Sequence, residues 1–122
     1  MPVNAQGNYY PPDVPRADAA LASAARTVSG NGASFNAAGA HSLQGFLTAT
    51  AASGTTPTLD VRLETSVDGG STWTTVASFT QLTAAGAQNR VFGPLGDLCR
   101  WAWTIAGTTP SFTFSISAEA NR

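Results

Sequence analysis

Thr58-Leu59-Asp60-Val61-Arg62-Leu63-Glu64-Thr65-Ser66 alternates without a break. In an extended chain, successive side chains point to opposite faces. Leu59, Val61, Leu63 and Thr65 therefore share one side, and Asp60, Arg62, Glu64 and Ser66 share the other. The same period recurs nearby. Cys99, Trp101, Trp103 and Ile105 fall on one face of Leu98–Ala106. Phe112, Phe114, Ile116 and Ala118 fall on one face of Ser111–Ala118, opposite Ser111, Thr113, Ser115 and Ser117. In Ser71–Thr80, Trp73, Ala77 and Phe79 share a face. Further strands are expected at Ala33–Asn36, His41–Ala51 and Gln88–Phe92, punctuated by Gly, Pro, Asn and Asp. Many short strands at this spacing predict an all-β, antiparallel β-sandwich of jelly-roll or immunoglobulin-like type over residues 27–122. The expected core is Leu43, Leu47, Leu59, Val61, Leu63, Trp73, Phe79, Trp101, Trp103, Ile105, Phe112, Phe114 and Ile116. Each of these contributes about 1.5–3 kcal/mol when fully buried.

Two segments echo each other. Ser53-Gly54-Thr55-Thr56-Pro57-Thr58-Leu59 resembles Ala106-Gly107-Thr108-Thr109-Pro110-Ser111-Phe112. Each follows one expected strand and opens another. Each is therefore expected to be a hairpin turn, with the proline at a strand start where no ladder donor is needed.

Residues 1–26 differ from the rest. Pro2, Pro11, Pro12 and Pro15 hold this stretch extended, and Tyr9 and Tyr10 are rigid amphipathic side chains of the kind enriched at interfaces. An N-terminal arm is expected here, with Tyr9, Tyr10, Pro11, Pro12 and Val14 as its partner contacts. Asp18 followed by Ala19, Ala20, Leu21, Ala22, Ser23, Ala24 and Ala25 predicts a short helix within Arg16–Arg26.

The 122 residues are enough for one domain with one core. Charged residues are 11%, well under the roughly 25% of ordinary soluble domains, and the net charge is −1. Such a surface is rich in Ser, Thr, Ala, Gly and Asn and repels its own copies weakly. There is no lysine, and the six arginines are scattered singly. A basic patch for phosphate binding is missing, which argues against nucleic acid. One cysteine excludes an internal disulfide. No apolar run approaches a membrane span, and Met1–Gly7 has no signal-peptide pattern, so synthesis in the cytoplasm is expected.

Ser66-Val67-Asp68-Gly69-Gly70-Ser71-Thr72-Trp73 has the form S-x-D-x-G-x-T-W and resembles the Asp-box of sialidase-type propellers. Its chemistry is turn chemistry. Asp68 accepts bonds from its own turn, the glycines supply positive φ, and Ser66, Gly70, Thr72 and Trp73 complete the hairpin. The box carries no catalytic group, and one copy cannot make a propeller.

Catalytic constellations are missing. Asp60 and Glu64 share a strand face but lie roughly 13 Å apart by strand rise, with Arg62 between them, which predicts a surface charge ladder. His41 is the one histidine and has no nucleophile elbow beside it. One His and one Cys do not make a zinc site, and Gly30-Asn31-Gly32 lacks the Lys and helix of a phosphate loop. Cys99 is expected to be a small buried hydrophobe. No enzyme activity, cofactor or metal is expected.

The segments Val61–Trp73, Arg100-Trp101-Ala102-Trp103-Thr104-Ile105 and Thr109-Pro110-Ser111-Phe112-Thr113-Phe114-Ser115-Ile116 together resemble a family of short structural proteins of tailed bacteriophages. The resemblance implies a virion component at the capsid surface, and at this size a capsid decoration (cement) protein. Its partners would be the major capsid protein and neighbouring copies of itself, grouped as trimers. Two alternatives remain at this stage: a carbohydrate-binding module of a tail fibre or adhesin, stacking sugars on Trp101 and Trp103, and another tail or connector component.

Overall fold

The computed structural model describes residues 13–15, 19–37 and 40–121. Eight strands are present: β1 Asp13–Pro15, β2 Leu21–Arg26, β3 Gly30–Asn31, β4 Phe35–Asn36, β5 Ser42–Ser66, β6 Thr74–Ser78, β7 Gly86–Phe92 and β8 Leu98–Asn121. All pairings are antiparallel. The all-β, sandwich-like class expected from alternation is what forms.

The frame is a ribbon of two very long strands. β5 and β8 run side by side from Ser42 opposite Asn121 to Ser66 opposite Leu98. In the first half of the ribbon, residues 42–53 of β5 lie beside 111–121 of β8. β7 flanks this half on the β5 side, and β1 and β2 flank it on the β8 side. In the second half, residues 58–66 lie beside 98–106. There β6 flanks β5, and β3 and β4 flank β8. The two halves, each four strands wide, face each other across the core. Trp101 of the second half lies against Gly45 of the first, where an added Cβ would come within 2.7 Å of the indole. Trp103 of the second half meets Phe114 of the first edge to face, with centroids 5.7 Å apart.

The two GTTP segments are not hairpins. They sit opposite each other at the middle of the ribbon, Thr55 against Thr108, and the strands continue through them. Both have the same backbone. Gly54 and Gly107 have φ of 111° and 122°, and Thr56 and Thr109 have φ of 48° and 45°. Each threonine hydroxyl donates to the preceding carbonyl at 2.8 Å. The contact is reciprocal. A Cβ on Gly54 would lie 2.7 Å from the Thr109 oxygen, and one on Gly107 would lie 2.9 Å from the Thr56 oxygen. The sequence echo therefore marks two equal kinks that turn both strands at one point, and the neighbour each strand pairs with is the distant one.

All the expected core residues except Trp73 are buried. Phe79, Phe92 and Trp101 form an aromatic cluster with centroids 5.1–5.9 Å apart. Phe35, Phe92, Cys99 and several alanines also join the core. Trp73 fails for an identifiable reason. Leu63 lies opposite Ala77, but the next residue, Glu64, lies opposite Thr75, so Val76 is an extra residue in β6. A bulge of this kind shifts side-chain parity. Ala77 stays on the inner side, and Trp73 moves to the outer face. Thr50 is a second such insertion, because Ala49 lies opposite Phe114 and Ala51 opposite Thr113.

The predicted helix is also replaced. Leu21–Arg26 is a strand opposite residues 112–116 of β8. A helix this short is marginal alone, so the helix preference of its alanines is easily overridden. Pairing with β8 supplies backbone bonds and lets Leu21 pack against the core. β1, β2, β3 and β4 thus form a leg along β8, with Asp13 opposite Asn121 at one end and Asn36 opposite Leu98 at the other.

Candidate functional site

The Asp-box turn forms as its residues require. Ser66 is buried at the end of β5. Its hydroxyl donates to Asp68 Oδ1 at 2.7 Å and accepts the Gly70 N–H at 2.9 Å. The Thr72 hydroxyl donates to Asp68 Oδ2 at 2.6 Å, and the Thr72 N–H donates to Oδ1 at 3.0 Å. Gly69 and Gly70 have φ of 76° and 97°. The bonds from Thr72, first its hydroxyl and then its N–H, with that from Ser66, hold the Asp68 carboxyl well below the usual carboxylate range. Both carboxylate oxygens are occupied by protons from the turn itself. The Trp73 ring lies beside Gly70, and the Arg100 guanidinium stacks 4.3 Å above the ring centroid. The motif is a turn whose Ser66, Asp68 and Thr72 polar groups are engaged with one another.

From Trp73 a polar network crosses the outer face of the second half. Glu64 lies between two guanidinium groups. Arg100 Nε donates to Oε1 at 2.7 Å, and Arg62 Nε donates to Oε2 at 3.1 Å. Arg62 also bonds the Thr104 hydroxyl at 3.1 Å. The Glu64 side chain is only 12% exposed. That burial alone would raise its pKa, but the bonds and charges of Arg100 and Arg62 outweigh it and the net direction is downward. The expected ladder is thus rearranged. Asp60 bonds Gln81 at 2.9 Å, and the charge partners of Glu64 are Arg62 and Arg100. A carboxylate clamped between two arginines stays ionised and does not donate protons as a general acid must. Among the described residues, no three His, Cys, Asp or Glu side chains converge to hold a metal ion. His41 is exposed and Cys99 is buried in the core.

The tryptophans named as possible sugar platforms face inward. Trp101 is 2% exposed and Trp103 is 8% exposed. Their indole N–H groups donate to the Ala19 carbonyl at 2.7 Å and the Val28 carbonyl at 3.1 Å. Those bonds tie the N-terminal leg to the body. Arg26 adds to them, donating to the carbonyls of Phe114 at 2.8 Å and Ala22 at 2.9 Å, with its guanidinium over the rings of Phe114 and Trp103. The Ser29 hydroxyl accepts the Ile105 N–H at 2.9 Å. Of the expected arm contacts, Tyr9, Tyr10, Pro11 and Pro12 lie outside the described residues. Val14 belongs to β1, opposite Ala120.

The outer face of the first half has a different character. The parity set by buried Leu43, Gly45, Leu47 and Ala49 turns Gln44, Phe46 and Thr48 outward. Ser115 and Ser117 stand beside them on β8, opposite Thr48 and Phe46. Val91 of β7 lies opposite Gln44 and is 59% exposed. Phe46 takes no part in the core cluster. The apolar row of each strand dominates the sequence pattern and masks this face. The signal was available: an aromatic at position 46 is out of phase with Leu43 and Leu47. The chain matches no family model, no curated protein and no solved structure.

Proposed function

We propose that this chain is a structural virion protein of a tailed bacteriophage, a capsid decoration (cement) protein that binds the assembled head through its N-terminal arm and its sandwich surface. The major capsid protein and neighbouring copies of the chain are its partners on the capsid exterior. The observation that carries the proposal is the leg along β8. It fixes Asp13 at a corner of the sheet, opposite Asn121, and the Tyr9-Tyr10-Pro11-Pro12 sequence precedes that point. Proline restricts the backbone before binding, so a Tyr-Tyr-Pro-Pro sequence loses less entropy on ordering against a neighbour. Low charge over the body limits repulsion among crowded copies, and weak contacts repeated over a lattice sum to strong attachment.

The test is co-sedimentation with intact particles. Deleting Met1–Pro12 leaves β1 in place, and it should leave the unfolding midpoint unchanged while abolishing decoration. Truncated protein that still decorates particles at full stoichiometry would refute the role of the arm. Full-length protein that never co-sediments with particles would refute the virion assignment.

A further inference from the structure

We propose that the outer face of the first half is a self-association surface, where a second copy of this chain packs face to face through Phe46. The proposal does not depend on the virion assignment. It rests first on the contrast with the other outer face. On the second half, the charged groups are partnered within the chain: Glu64 with Arg62 and Arg100, Asp60 with Gln81, and Trp73 under Arg100. On the first half, Glu119 is the one charged residue that the described parts of β5, β7 and β8 turn to that face, and it sits at the end beside β1, away from Phe46. The centre is Phe46, with Val91 diagonal to it and Thr48, Ser115 and Ser117 around it.

The occupant follows from this chemistry. A charged partner surface would lose hydration there and gain no countercharge. Serine and threonine hydroxyls both donate and accept, so a face built from them is complementary to itself under a two-fold rotation. That operation brings two Phe46 rings together at the centre, with the hydroxyls as a rim around an aromatic anchor. Size sets the expected strength. Four strands about 4.8 Å apart and seven residues at about 3.3 Å each give a plan area of roughly 440 Å² per copy, or on the order of 900 Å² for the pair. That lies just under the roughly 1,000 Å² of a stable specific interface. The pair is therefore weak and concentration-dependent, and forms where copies are already crowded.

Sedimentation velocity of the full chain over a concentration series from micromolar to millimolar tests this. The weight-average sedimentation coefficient should rise toward that of a dimer. Phe46→Arg and Ser117→Arg should each abolish the rise, and Ser117, being exposed, keeps the test clear of folding defects. Thr75→Arg, on the opposite outer face, should leave the rise intact. A wild-type chain that stays monomeric throughout overturns the proposal. So does association that survives both first-half variants, or association that Thr75→Arg alone removes. Association that appears only after deletion of Met1–Pro12 would assign the face to the chain's own leader instead. All these readouts use purified protein, so their failure is distinguishable from failure to bind particles.

Discussion

The two halves of the β5–β8 ribbon match on the inside and differ on the outside. Inside, Leu59, Val61 and Leu63 follow the first kink as Phe112, Phe114 and Ile116 follow the second, and all six are buried. Outside, one half carries a clamped carboxylate, two arginines and a stacked tryptophan, and the other carries hydroxyls around Phe46. Burial constrains volume and polarity on the shared interior, so both halves converge on large apolar residues there. The exterior is free of that constraint, and any division of labour between the halves is written on it.

Tryptophan separates inside from outside most sharply. Trp101 fills the space above Gly45, stacks with Phe79 and meets Phe92 edge on, and its indole N–H holds the Ala19 carbonyl. Trp101→Ala removes that volume and leaves a buried carbonyl unpaired, and is expected to cost about 3–5 kcal/mol in denaturant unfolding. Trp73→Ala loses a half-exposed ring and one cation–π contact, and about 1 kcal/mol is expected. Equal losses from the two substitutions would mean that the outer network is as much a part of the core as the interior.

The kinks test how alike the halves are. Alanine at Gly54 or Gly107 combines positive φ with a Cβ placed under 3 Å from opposing backbone. Each is expected to cost about 2–4 kcal/mol, from the left-handed conformation and overpacking together. Because each glycine packs on the other kink, the two substitutions should be non-additive, with the double variant losing less than the sum in a double-mutant cycle. Simple additivity would mean that the two kinks hold their shape independently.

What was legible in the sequence follows from range. The rows Leu59/Val61/Leu63 and Phe112/Phe114/Ile116 are local patterns, and they were readable. So was the Asp68 turn, whose bonds all lie within residues 66–72. The GTTP segments misled because a local signal reports a bend, while the partner of each strand is decided far away. Thr50 and Val76 are single inserted residues, and nothing in their identity announces a bulge, yet the second one moved Trp73 to the outside. The alanines of Leu21–Arg26 favour a helix locally, and only the distant pairing with β8 overrides that preference. The Glu64–Arg100 bond joins residues 36 apart in sequence, so the clamp could not be read from the charge ladder of one strand.

A small effect is also expected at that clamp, and pH isolates it. Glu64→Gln keeps the shape but removes the charge that Arg62 and Arg100 share. Because both arginines are partly exposed, about 1–2 kcal/mol is expected at neutral pH. The carboxyl of Glu64 has a lower pKa folded than unfolded. Its stabilisation is therefore complete above the ordinary glutamate range, near pH 4.5, and is lost as pH falls toward the folded value, where the native state must take up the proton as well. Asp68 acts in the same direction in acid, since the bonds from Thr72 and Ser66 depress it too. Wild-type protein should thus lose stability as pH falls below about 4.5, and Glu64→Gln and Asp68→Asn should each flatten part of that slope, with the double variant flatter than either. Thermal unfolding midpoints from pH 7 to pH 3 provide the check. If Asp68→Asn alone removes the whole slope, Glu64 contributes no charge-dependent stability, and the clamp on the outer face is no more than a surface ion pair.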